Sequence, residues 1–294
     1  MVKPSVTIII PAWNSESQLK KNLPSVFSAA KQVNAEIIVV DDHSTLDNTV
    51  SYLESLGSRI KLIKNTRNLG FTRTINAGVL ASKATIVVLL NTDVRPEPDC
   101  FRQCLQQFGH DDIFAVTFNS DDSWAGGWWR NGLLEHGSIY QGKSRSSLWA
   151  SGGQAAFSRH KWMELGGLDP LYNPFYWEDV DLGYRAWKRG WKILWDPQAH
   201  CVHDHEVSVI KHNFSKKYIQ QIAQRNQFLF VWKNIHDHTM IKDHLLHFPK
   251  FIKNYPLAFC SALLHLPQAF TSRKVEKQLS RHTDQEILSI WKNH

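Results

Sequence analysis

The sequence predicts an α/β fold, with a mostly parallel, doubly wound sheet flanked by helices and a helical extension at the C-terminus. Short, continuous apolar runs rich in Ile and Val recur in the first 90 residues. Such runs are typical of strands that are covered on both faces. Helical patterns separate them, and this alternation predicts parallel strands joined by crossovers. The predicted strands are residues 6–10, 37–40 and 85–90, and the predicted helices are 15–31, 46–56 and 72–82.

The middle of the chain has less regular patterns. Residues 59–64 alternate in polarity and predict a further, more exposed strand. Residues 119–153 are rich in turn residues and carry four Trp, which predicts a long, functional loop that is at least partly ordered. Residues 178–189 predict a helix, because acids occupy the first turn and a basic pair followed by Gly190 suits its end.

The last third of the chain predicts helices. Residues 214–232 have an amphipathic pattern, and prolines divide residues 245–270 into two or three short helices. A last helix is predicted to begin at Asp284. We therefore expect an α/β domain over residues 1–206 and a helical, basic region over residues 207–294.

The chain is basic, with a net charge of +7, and the excess lies after residue 206. This balance favours an anionic partner such as a nucleotide or a membrane surface. Nucleic acid is not expected, because no basic patch interleaved with aromatic residues occurs in the first 200 residues. The sequence has no run of 18 apolar residues, no signal-peptide pattern and no Cys-x-x-Cys pair, so we expect a cytoplasmic location without a membrane span.

Polar residues directly follow two of the predicted strands. Asp41 and Asp42 end the second strand, and Asn91 and Asp93 follow the third. Ligands of open α/β sheets bind outside the carboxyl ends of the strands. Although Asp and Asn are also common in ordinary turns, two acidic clusters after two buried strands favour a binding crevice.

Three acids follow three aromatic residues in the segment 175–185. Carboxylates repel one another and lose hydration beside aromatic rings, so this arrangement is costly unless the acids have a role. Asp181 lies four residues before Arg185 on the predicted helix, and we expect this pair to be structural. Glu178 and Asp179 then remain as candidates for chemistry.

The ordered series of these motifs resembles the family 2 glycosyltransferases of the GT-A type, over about residues 4–235. It is most similar to the bacterial branch that contains rhamnosyltransferases and related enzymes of cell-surface polysaccharide synthesis. The resemblance implies a GT-A, Rossmann-like fold. The motifs that carry it are Pro11-Ala12-Trp13-Asn14, Asp41-Asp42-His43-Ser44, Asn68-Leu69-Gly70, Asn76-Ala77-Gly78, Asn91-Thr92-Asp93, Ser151-Gly152-Gly153, Trp177–Asp181, and His203 with His205.

The resemblance implies a site for a nucleoside-diphosphate sugar. Asp42 is expected to contact the base or ribose, since a carboxylate accepts hydrogen bonds from imide and hydroxyl groups. Arg73 either binds phosphate or is an ordinary exposed helix residue, and both interpretations stay open. The remaining residues expected to bind the donor from these segments are Pro11, Ala12, Asn14, Asp41, Asn76 and Asn91.

The resemblance also implies a divalent cation, Mn²⁺ or Mg²⁺. Asn91-Thr92-Asp93 occupies the place of the family's Asp-x-Asp motif, so Asp93 is the expected carboxylate ligand. His203 is the expected second ligand, with His205 as the alternative. A zinc site built on His200, His203 and His205 is a competing interpretation, although it lacks the usual partner spacing.

Relatives place a catalytic Asp in an equivalent acidic pair, which assigns Asp179 as the general base. A partly apolar pocket would raise its pKa and make it a better base. Glu178 is expected to contact hydroxyls of donor or acceptor, and Trp177 and Tyr176 either stack on a sugar face or pack the helix. Gly152 and Gly153 would allow the substrate to approach the backbone closely.

These expectations describe an inverting, metal-dependent transferase that moves a sugar from dTDP-rhamnose or a UDP-hexose to a glycan or lipid-linked acceptor in cell-surface polysaccharide synthesis. The alternatives are an inactive sugar-nucleotide-binding protein and a sugar nucleotidyltransferase, which would need a Gly-rich loop after the first strand. The basic C-terminal region predicts contact with an anionic membrane, on the inner face of the cytoplasmic membrane; a homodimer interface and a lid over the site are the alternatives.

Overall fold

The computed structural model describes residues 4–141, 145–204 and 213–292. The strands are β1 (Val6–Ala12), β2 (Glu36–Asp41), β3 (Lys61–Lys64), β4 (Ile86–Leu90), β5 (Val94–Pro96), β6 (Ile113–Asn119), β7 (Trp124–Arg130), β8 (Leu133–Ile139), β9 (Gln154–Ser158) and β10 (Lys192–His203). The helices are α1 (Glu16–Val33), α2 (Thr49–Ser55), α3 (Phe71–Ala81), α4 (Cys100–Leu105), α5 (Arg159–Leu165), α6 (Glu178–Lys188), α7 (Lys216–Asn234), α8 (His238–Leu246), α9 (Phe248–Asn254), α10 (Pro256–Leu264), α11 (Leu266–Leu279) and α12 (Asp284–Ser289).

Eight strands form one sheet in the order β3-β2-β1-β4-β9-β6-β10-β5. Strands β1 to β4 run parallel, as do β6 and β10, whereas β9 and β5 are antiparallel to their neighbours. The predicted α/β class with a mostly parallel sheet and a helical C-terminal extension is therefore confirmed. Because β1, β2 and β4 are parallel neighbours, their carboxyl ends open on the same edge.

The sheet is covered on both faces, which explains its uninterrupted apolar runs. Successive side chains of β1 point to opposite faces: Ile9 packs in one core cluster with Ile75 of α3, and Ile8 packs in the other with Leu19 of α1. Strand β4 alternates in the same way. Apolar residues are thus required at every position of these strands, not at every second one.

The expectation of a loop over residues 119–153 is wrong for its first half, where β7 and β8 form an antiparallel hairpin. The turn is Asn131-Gly132, with φ angles of 51° and 73° that fit a two-residue hairpin turn. In β7, Gly126 leaves room for the Ile139 side chain and Gly127 for the Leu148 side chain. A Cβ at either glycine would overlap the side chain that packs against it. The hairpin signal is present in the sequence, but the surrounding Trp and Gly residues obscure the alternation of a strand.

The C-terminal helices pack against the same core as the sheet, and Phe228 of α7 belongs to the cluster that contains β4 residues. Two buried ion pairs join this region to α6 and the residue after it: Lys188 with Asp284 at 2.6 Å, and Arg189 with Glu276 at 2.8 Å. The predicted division at residue 206/207 lies outside the described residues. None of the helices in the described ranges is long and apolar enough to cross a bilayer.

Candidate active site

A crevice of about 350 Å³ opens at the carboxyl ends of β1, β2 and β4 and is closed on its far side by the segment that leads into α6. It contains the strand-end acids and the acidic pair of α6 together, although these are far apart in sequence. The residues expected at the site that line this crevice are Pro11, Ala12, Asp42, Asn91, Asp93, Gly152, Gly153, Glu178 and Asp179.

Asp42 lies at the wall of the crevice and organises its rim. Its carboxylate accepts hydrogen bonds from the Asn65 side chain at 2.8 Å, from the Leu69 N–H at 2.8 Å and from the Gly70 N–H at 2.9 Å. A carboxylate offers about four acceptor positions, so about one remains for a ligand. Asp41 is buried behind it and accepts from the Ser44 N–H at 3.2 Å.

Four expected donor-binding residues lie away from the crevice lining. The Asn14 amide oxygen accepts from the N–H groups of Thr45 and Leu46, both at 3.0 Å, and so joins two loops. The Asn76 amide pairs with both backbone groups of Leu168, so it joins α3 to the loop after α5. The Arg73 side chain is exposed on α3, as in the second of the two interpretations left open for it. The fourth expected donor-binding residue away from the lining is Asp41, which is buried behind Asp42.

Tyr176 lines the crevice and Trp177 does not; the other aromatic residues of the lining are Trp13, Phe71, Phe175 and Phe214. The Trp177 ring packs 5.2 Å from the Phe230 ring and 5.1 Å from the His136 ring, on the other side of the segment. Tyr176 and Trp177 have φ angles of 68° and 77°, and this left-handed pair turns the two rings in different directions. A sequence pattern does not reveal such a turn.

Asp93 and His203 face one another at the edge of the crevice. Asp93 Oδ1 lies 3.5 Å from His203 Nε2, and the side chains are 13% and 16% exposed. No hydrogen bond from the described part of the chain reaches Asp93 Oδ1, although it is buried. A buried carboxylate oxygen without a hydrogen-bond donor is destabilised unless a cation neutralises it.

The tautomer of His203 also suits a metal. Its Nδ1 lies 3.0 Å from Gln154 Oε1, and Gln154 Nε2 donates to Ser120 Oγ at 3.0 Å, since the Ser120 hydroxyl gives its own proton to Asp121 Oδ1 at 3.4 Å. Because Oε1 only accepts, Nδ1 carries the proton and the lone pair of the neutral ring lies on Nε2, towards Asp93. Outer hydrogen bonds of this kind orient metal-binding histidines. Gln154 was not among the predicted site residues.

The residues present therefore fit a divalent cation that takes only part of its ligands from protein. Within residues 4–141, 145–204 and 213–292, no three His, Cys, Asp or Glu side chains converge on one point. Asp93 and His203 would supply an oxygen and a nitrogen, and substrate oxygens and water would complete the shell. His205, the alternative ligand, lies outside the described residues.

Gly153 fits closely against Asn91. The Asn91 N–H donates to the Gly153 carbonyl at 2.8 Å, and a Cβ at Gly153 would overlap the Asn91 amide. This contact fixes the start of β9 against the end of β4, directly beside Asp93. Gly152 approaches the Phe71 ring, which also lines the crevice.

The acidic pair at the start of α6 is held in an environment of low polarity. Burial raises the pKa of Asp179 to about 6, although backbone N–H groups, including that of Val180 at 2.8 Å, favour its charged form. Burial and the neighbouring charge of Asp179 raise the pKa of Glu178 to about 8, and Glu178 Oε2 has no hydrogen-bond donor in the described residues. At neutral pH, Asp179 is mainly ionised and Glu178 mainly protonated.

Asp181 has the structural role that the sequence predicts. Arg185 Nε donates to its carboxylate at 2.7 Å, and both side chains are buried. Lys233 lies 2.8 Å away, and Tyr172 donates at 2.8 Å. Burial alone would raise the pKa of Asp181, but the charges of Arg185 and Lys233 outweigh it and hold the pKa well below its usual range.

Asn226 supports the strained segment before α6. Its side-chain amide donates to the carbonyls of Tyr172, Phe175 and Tyr176, at 2.7, 3.0 and 2.8 Å. Arg225 donates to the Asn226 oxygen at 2.8 Å and also to a carbonyl of the same segment. Arg225 and Asn226 therefore hold the wall of the crevice from α7.

Comparison with solved structures identifies the architecture. The structure of GalNAc-T7 with UDP, GalNAc and Mn²⁺ matches 88% of this chain and 58% of its own, with a TM-score of 0.63 and 16% identity. The mannosyltransferase PcManGT from Pyrobaculum calidifontis, in complex with GDP-Man and Mn²⁺, matches 94% of this chain and 74% of its own, with a TM-score of 0.58 and 19% identity. The protein therefore has the GT-A fold.

Comparison of the sequence with known families identifies the family. Residues 7–165 match the model of glycosyl transferase family 2, and the chain belongs to this family. Undecaprenyl-phosphate 4-deoxy-4-formamido-L-arabinose transferase of Pseudomonas fluorescens is 32% identical over 126 residues, and an uncharacterized glycosyltransferase of Haemophilus influenzae is 40% identical over 79 residues. These matches cover 40% and 26% of this chain but only 37% and 24% of the relatives.

Proposed function

We propose that the protein is an inverting, metal-dependent glycosyltransferase. It moves a sugar from a nucleoside-diphosphate sugar, dTDP-rhamnose or a UDP-hexose, to a hydroxyl of a glycan or lipid-linked acceptor in cell-surface polysaccharide synthesis. The observation that carries the proposal is the meeting of Asp42, Asp93 and Asp179 in one crevice. Each of the three acids corresponds to a different requirement of the reaction: nucleoside binding, charge neutralisation and proton removal.

Asp179 is the proposed base. An inverting transfer needs a group that takes the proton of the acceptor hydroxyl while its oxygen attacks the anomeric carbon. A pKa of about 6 leaves Asp179 ionised at neutral pH and makes it more basic than an ordinary carboxylate. Glu178, protonated at the same pH, can donate a hydrogen bond to a sugar hydroxyl instead of competing for the proton.

The donor lies between the strand-end residues in this proposal. The free acceptor position of Asp42 receives the base or ribose, and Pro11 and Ala12 pack beside it. A bound Mn²⁺ or Mg²⁺ would neutralise the charge of the departing diphosphate. Asp93 and His203 would hold that cation, and both structural neighbours described above contain Mn²⁺. Asn91 and Gly153 set the position of Asp93 from behind.

The two alternatives make different demands on the site. An inactive sugar-nucleotide-binding protein has no need of a buried, raised-pKa carboxylate, which costs stability and is retained here. A sugar nucleotidyltransferase needs a Gly-rich phosphate loop after β1, where this chain has Pro11 to Asn14. The raised pKa of the carboxylate and the lack of a Gly-rich loop at residues 11–14 both support the transferase.

The test is a panel of nucleotide sugars, assayed with Mn²⁺ and Mg²⁺ for release of nucleoside diphosphate. We expect one donor to be turned over, with activity lost in EDTA and restored by the cation. Full turnover in EDTA would contradict the metal role of Asp93 and His203. A nucleotide sugar that binds and is never cleaved, with any cation and a mixed envelope-glycan acceptor fraction, would favour the inactive binding protein.

We further propose that the C-terminal helices contact an anionic membrane surface, which would place the enzyme on the inner face of the cytoplasmic membrane. Glu276 is the one acid in the sequence from 244 to 283, and it is paired with Arg189. Lys250, Lys253, Lys274 and Lys277 are exposed. The exposed large apolar side chains here are Leu245, Leu246, Ile252, Tyr255, Leu257, Leu263, Leu264, Phe270, Val275 and Leu279.

Flotation with phosphatidylglycerol-containing vesicles tests this contact. Apolar side chains beside lysines favour anionic lipid, so the wild type is expected to float and Leu257→Glu/Leu264→Glu to float at least fivefold less. Leu80→Glu, a 66% exposed leucine on α3, is the matched control and should behave as wild type. Equal flotation of all three proteins would reject the membrane, and a dimer that the double substitution dissociates would support the homodimer interface.

A further inference from the structure

A second cavity, which we call the glutamine groove, lies beside the crevice and has a volume of about 970 Å³. One wall is α7, another is the junction of α9 and α10 over residues 254–258, and β8 contributes Glu135 and His136. Small-ligand sites span roughly 300–1,000 Å³, so the groove has room for an elongated ligand. None of the donor, metal and base roles proposed above uses it, although Tyr255 and Leu257 of its lining also belong to the exposed apolar side chains of the C-terminal helices.

The α7 wall carries a stripe of glutamines. Gln220, Gln224 and Gln227 are spaced by four and three residues, so they lie on one helix face, and Gln221 lies beside them. Gln224 donates to Gln227 at 2.8 Å, and Gln227 donates to the Leu134 carbonyl at 2.8 Å. The side chains of Gln220 and Gln221 make no hydrogen bond within the described ranges, so their amides are available to a ligand.

Aromatic rings complete the lining. Tyr255 is 44% exposed, His136 is exposed, and the Trp177 ring lies against His136 at the base of the groove. Primary amides both donate and accept, which matches the paired hydroxyls of a sugar, and exposed rings offer flat apolar surface to sugar C–H groups. The charged lining residues are Glu135 and Lys217, one of each sign, which favours a neutral ligand over a polyanion.

Two segments line both cavities. Tyr176 belongs to the crevice and Trp177 to the groove, and the same segment continues into Glu178 and Asp179. Phe214 belongs to the crevice and Lys217, three residues later, to the groove. The two cavities are therefore neighbours on either side of these segments, and a chain-like ligand that presents a hydroxyl to Asp179 has to pass around the segments to occupy the groove.

We propose that the glutamine groove binds the neutral oligosaccharide part of the acceptor, several sugars away from the reacting hydroxyl; this rests on the glycosyl transfer proposed above. The acceptor is then an oligosaccharide, free or lipid-linked, and not a single sugar. The α7 wall offers amides to sugar hydroxyls, and the opposite wall, with Tyr255, Pro256 and Leu257, offers apolar surface to sugar C–H groups.

Saturation-transfer NMR and calorimetry with defined sugars test the groove. The probes are glucose, N-acetylglucosamine, galactose, mannose and rhamnose, each with its linear oligosaccharides of two to six units. We expect at least one series to bind at least tenfold more tightly at four units than at one. Gln220→Ala/Gln224→Ala should weaken that binding about tenfold, because it removes the Gln220 amide and the Gln224 side-chain carbonyl oxygen, which accepts no hydrogen bond within the described residues. Gln278→Ala, an exposed helical glutamine on α11, should not.

A blocking substitution separates loss of contacts from loss of fold. Ala223→Trp would fill the groove between the glutamines, and we expect it to abolish oligosaccharide binding while the cooperative unfolding transition is retained. Absence of length dependence in every series, or equal binding by wild type and Gln220→Ala/Gln224→Ala, would overturn the proposal. Release of nucleoside diphosphate by the wild type without acceptor is recorded separately, because it reports on the donor site. Oligosaccharide binding without any donor turnover would reject the transferase and keep the groove.

Discussion

Asp179→Asn should make the protein more stable at high pH while removing the proposed base. The Asp179 side chain is partly buried, and its pKa of about 6 lies above the ordinary value of 3.8. A pKa raised in the folded state means that ionisation costs folding free energy, by roughly 3 kcal/mol once the pH is well above 6. Asn has the same shape, keeps an oxygen for the Val180 N–H, and carries no charge.

The size of the stabilisation by Asp179→Asn depends on pH. Below about pH 3.8 the carboxyl is protonated in both folded and unfolded states, so the substitution should change little. As the pH rises through about 6, the wild type loses stability that the variant keeps. At pH 8 we expect the free energy of unfolding of Asp179→Asn to exceed that of wild type by about 3 kcal/mol, which corresponds to a Tm about 5–10 °C higher.

Urea denaturation at pH 4.5 and pH 8 measures the difference. Asp181→Asn is the matched control on the same helix, with the opposite expectation. Its carboxylate is paired with Arg185 and Lys233, so the substitution leaves buried positive charge and should destabilise by about 3–5 kcal/mol. An Asp179→Asn variant that is no more stable than wild type at pH 8, or whose effect is independent of pH, would contradict a raised pKa of Asp179 in the folded state.

Three further predictions concern residues that hold the side chains of the site in position. Gly153→Ala should overlap the Asn91 amide and cost about 1–3 kcal/mol of stability, measured by urea unfolding, while Gly109→Ala, where a Cβ meets open space, should cost almost nothing. Asn226→Ala should lose three hydrogen bonds to backbone carbonyls and destabilise by about 2–4 kcal/mol; a melting temperature equal to wild type would contradict this. Gln154→Leu should weaken Mn²⁺ affinity, measured by calorimetry with nucleoside diphosphate present, about 10–100-fold, and unchanged affinity would count against the metal site.

The sequence was sufficient for the four N-terminal strands of the sheet, β1 to β4, and for the meeting of Asp42 and Asp93, whereas β5, β6, β9 and β10 were not predicted. Apolar runs at β1, β2 and β4 imply a covered parallel sheet, and parallel strands bring their carboxyl ends to one edge. Asp42 and Asp93 could therefore be placed together before any coordinates were known. The Asp181–Arg185 pair followed from helical spacing alone and is confirmed.

Other features depend on contacts between distant residues, which spacing does not encode. Tyr176 lines the crevice because two left-handed residues follow one another, and Asn226 from α7 holds that conformation. Asn14 and Asn76 were assigned to the donor from their motifs, yet both amides are used within the chain. The Asn131-Gly132 turn was readable as a hairpin signal, but Trp-rich flanks without clear alternation pointed to a loop.

The most direct test of the account compares transfer and donor binding in wild type and Asp179→Asn. Single-turnover transfer from the preferred nucleotide sugar is measured against pH, and the donor Kd is measured in parallel. We expect the wild-type rate to rise with a pKa of about 6, and the variant to lose at least about 10³-fold in rate with a donor Kd within threefold of wild type. A transfer rate within tenfold of wild type in Asp179→Asn would contradict the assignment of Asp179 as the base.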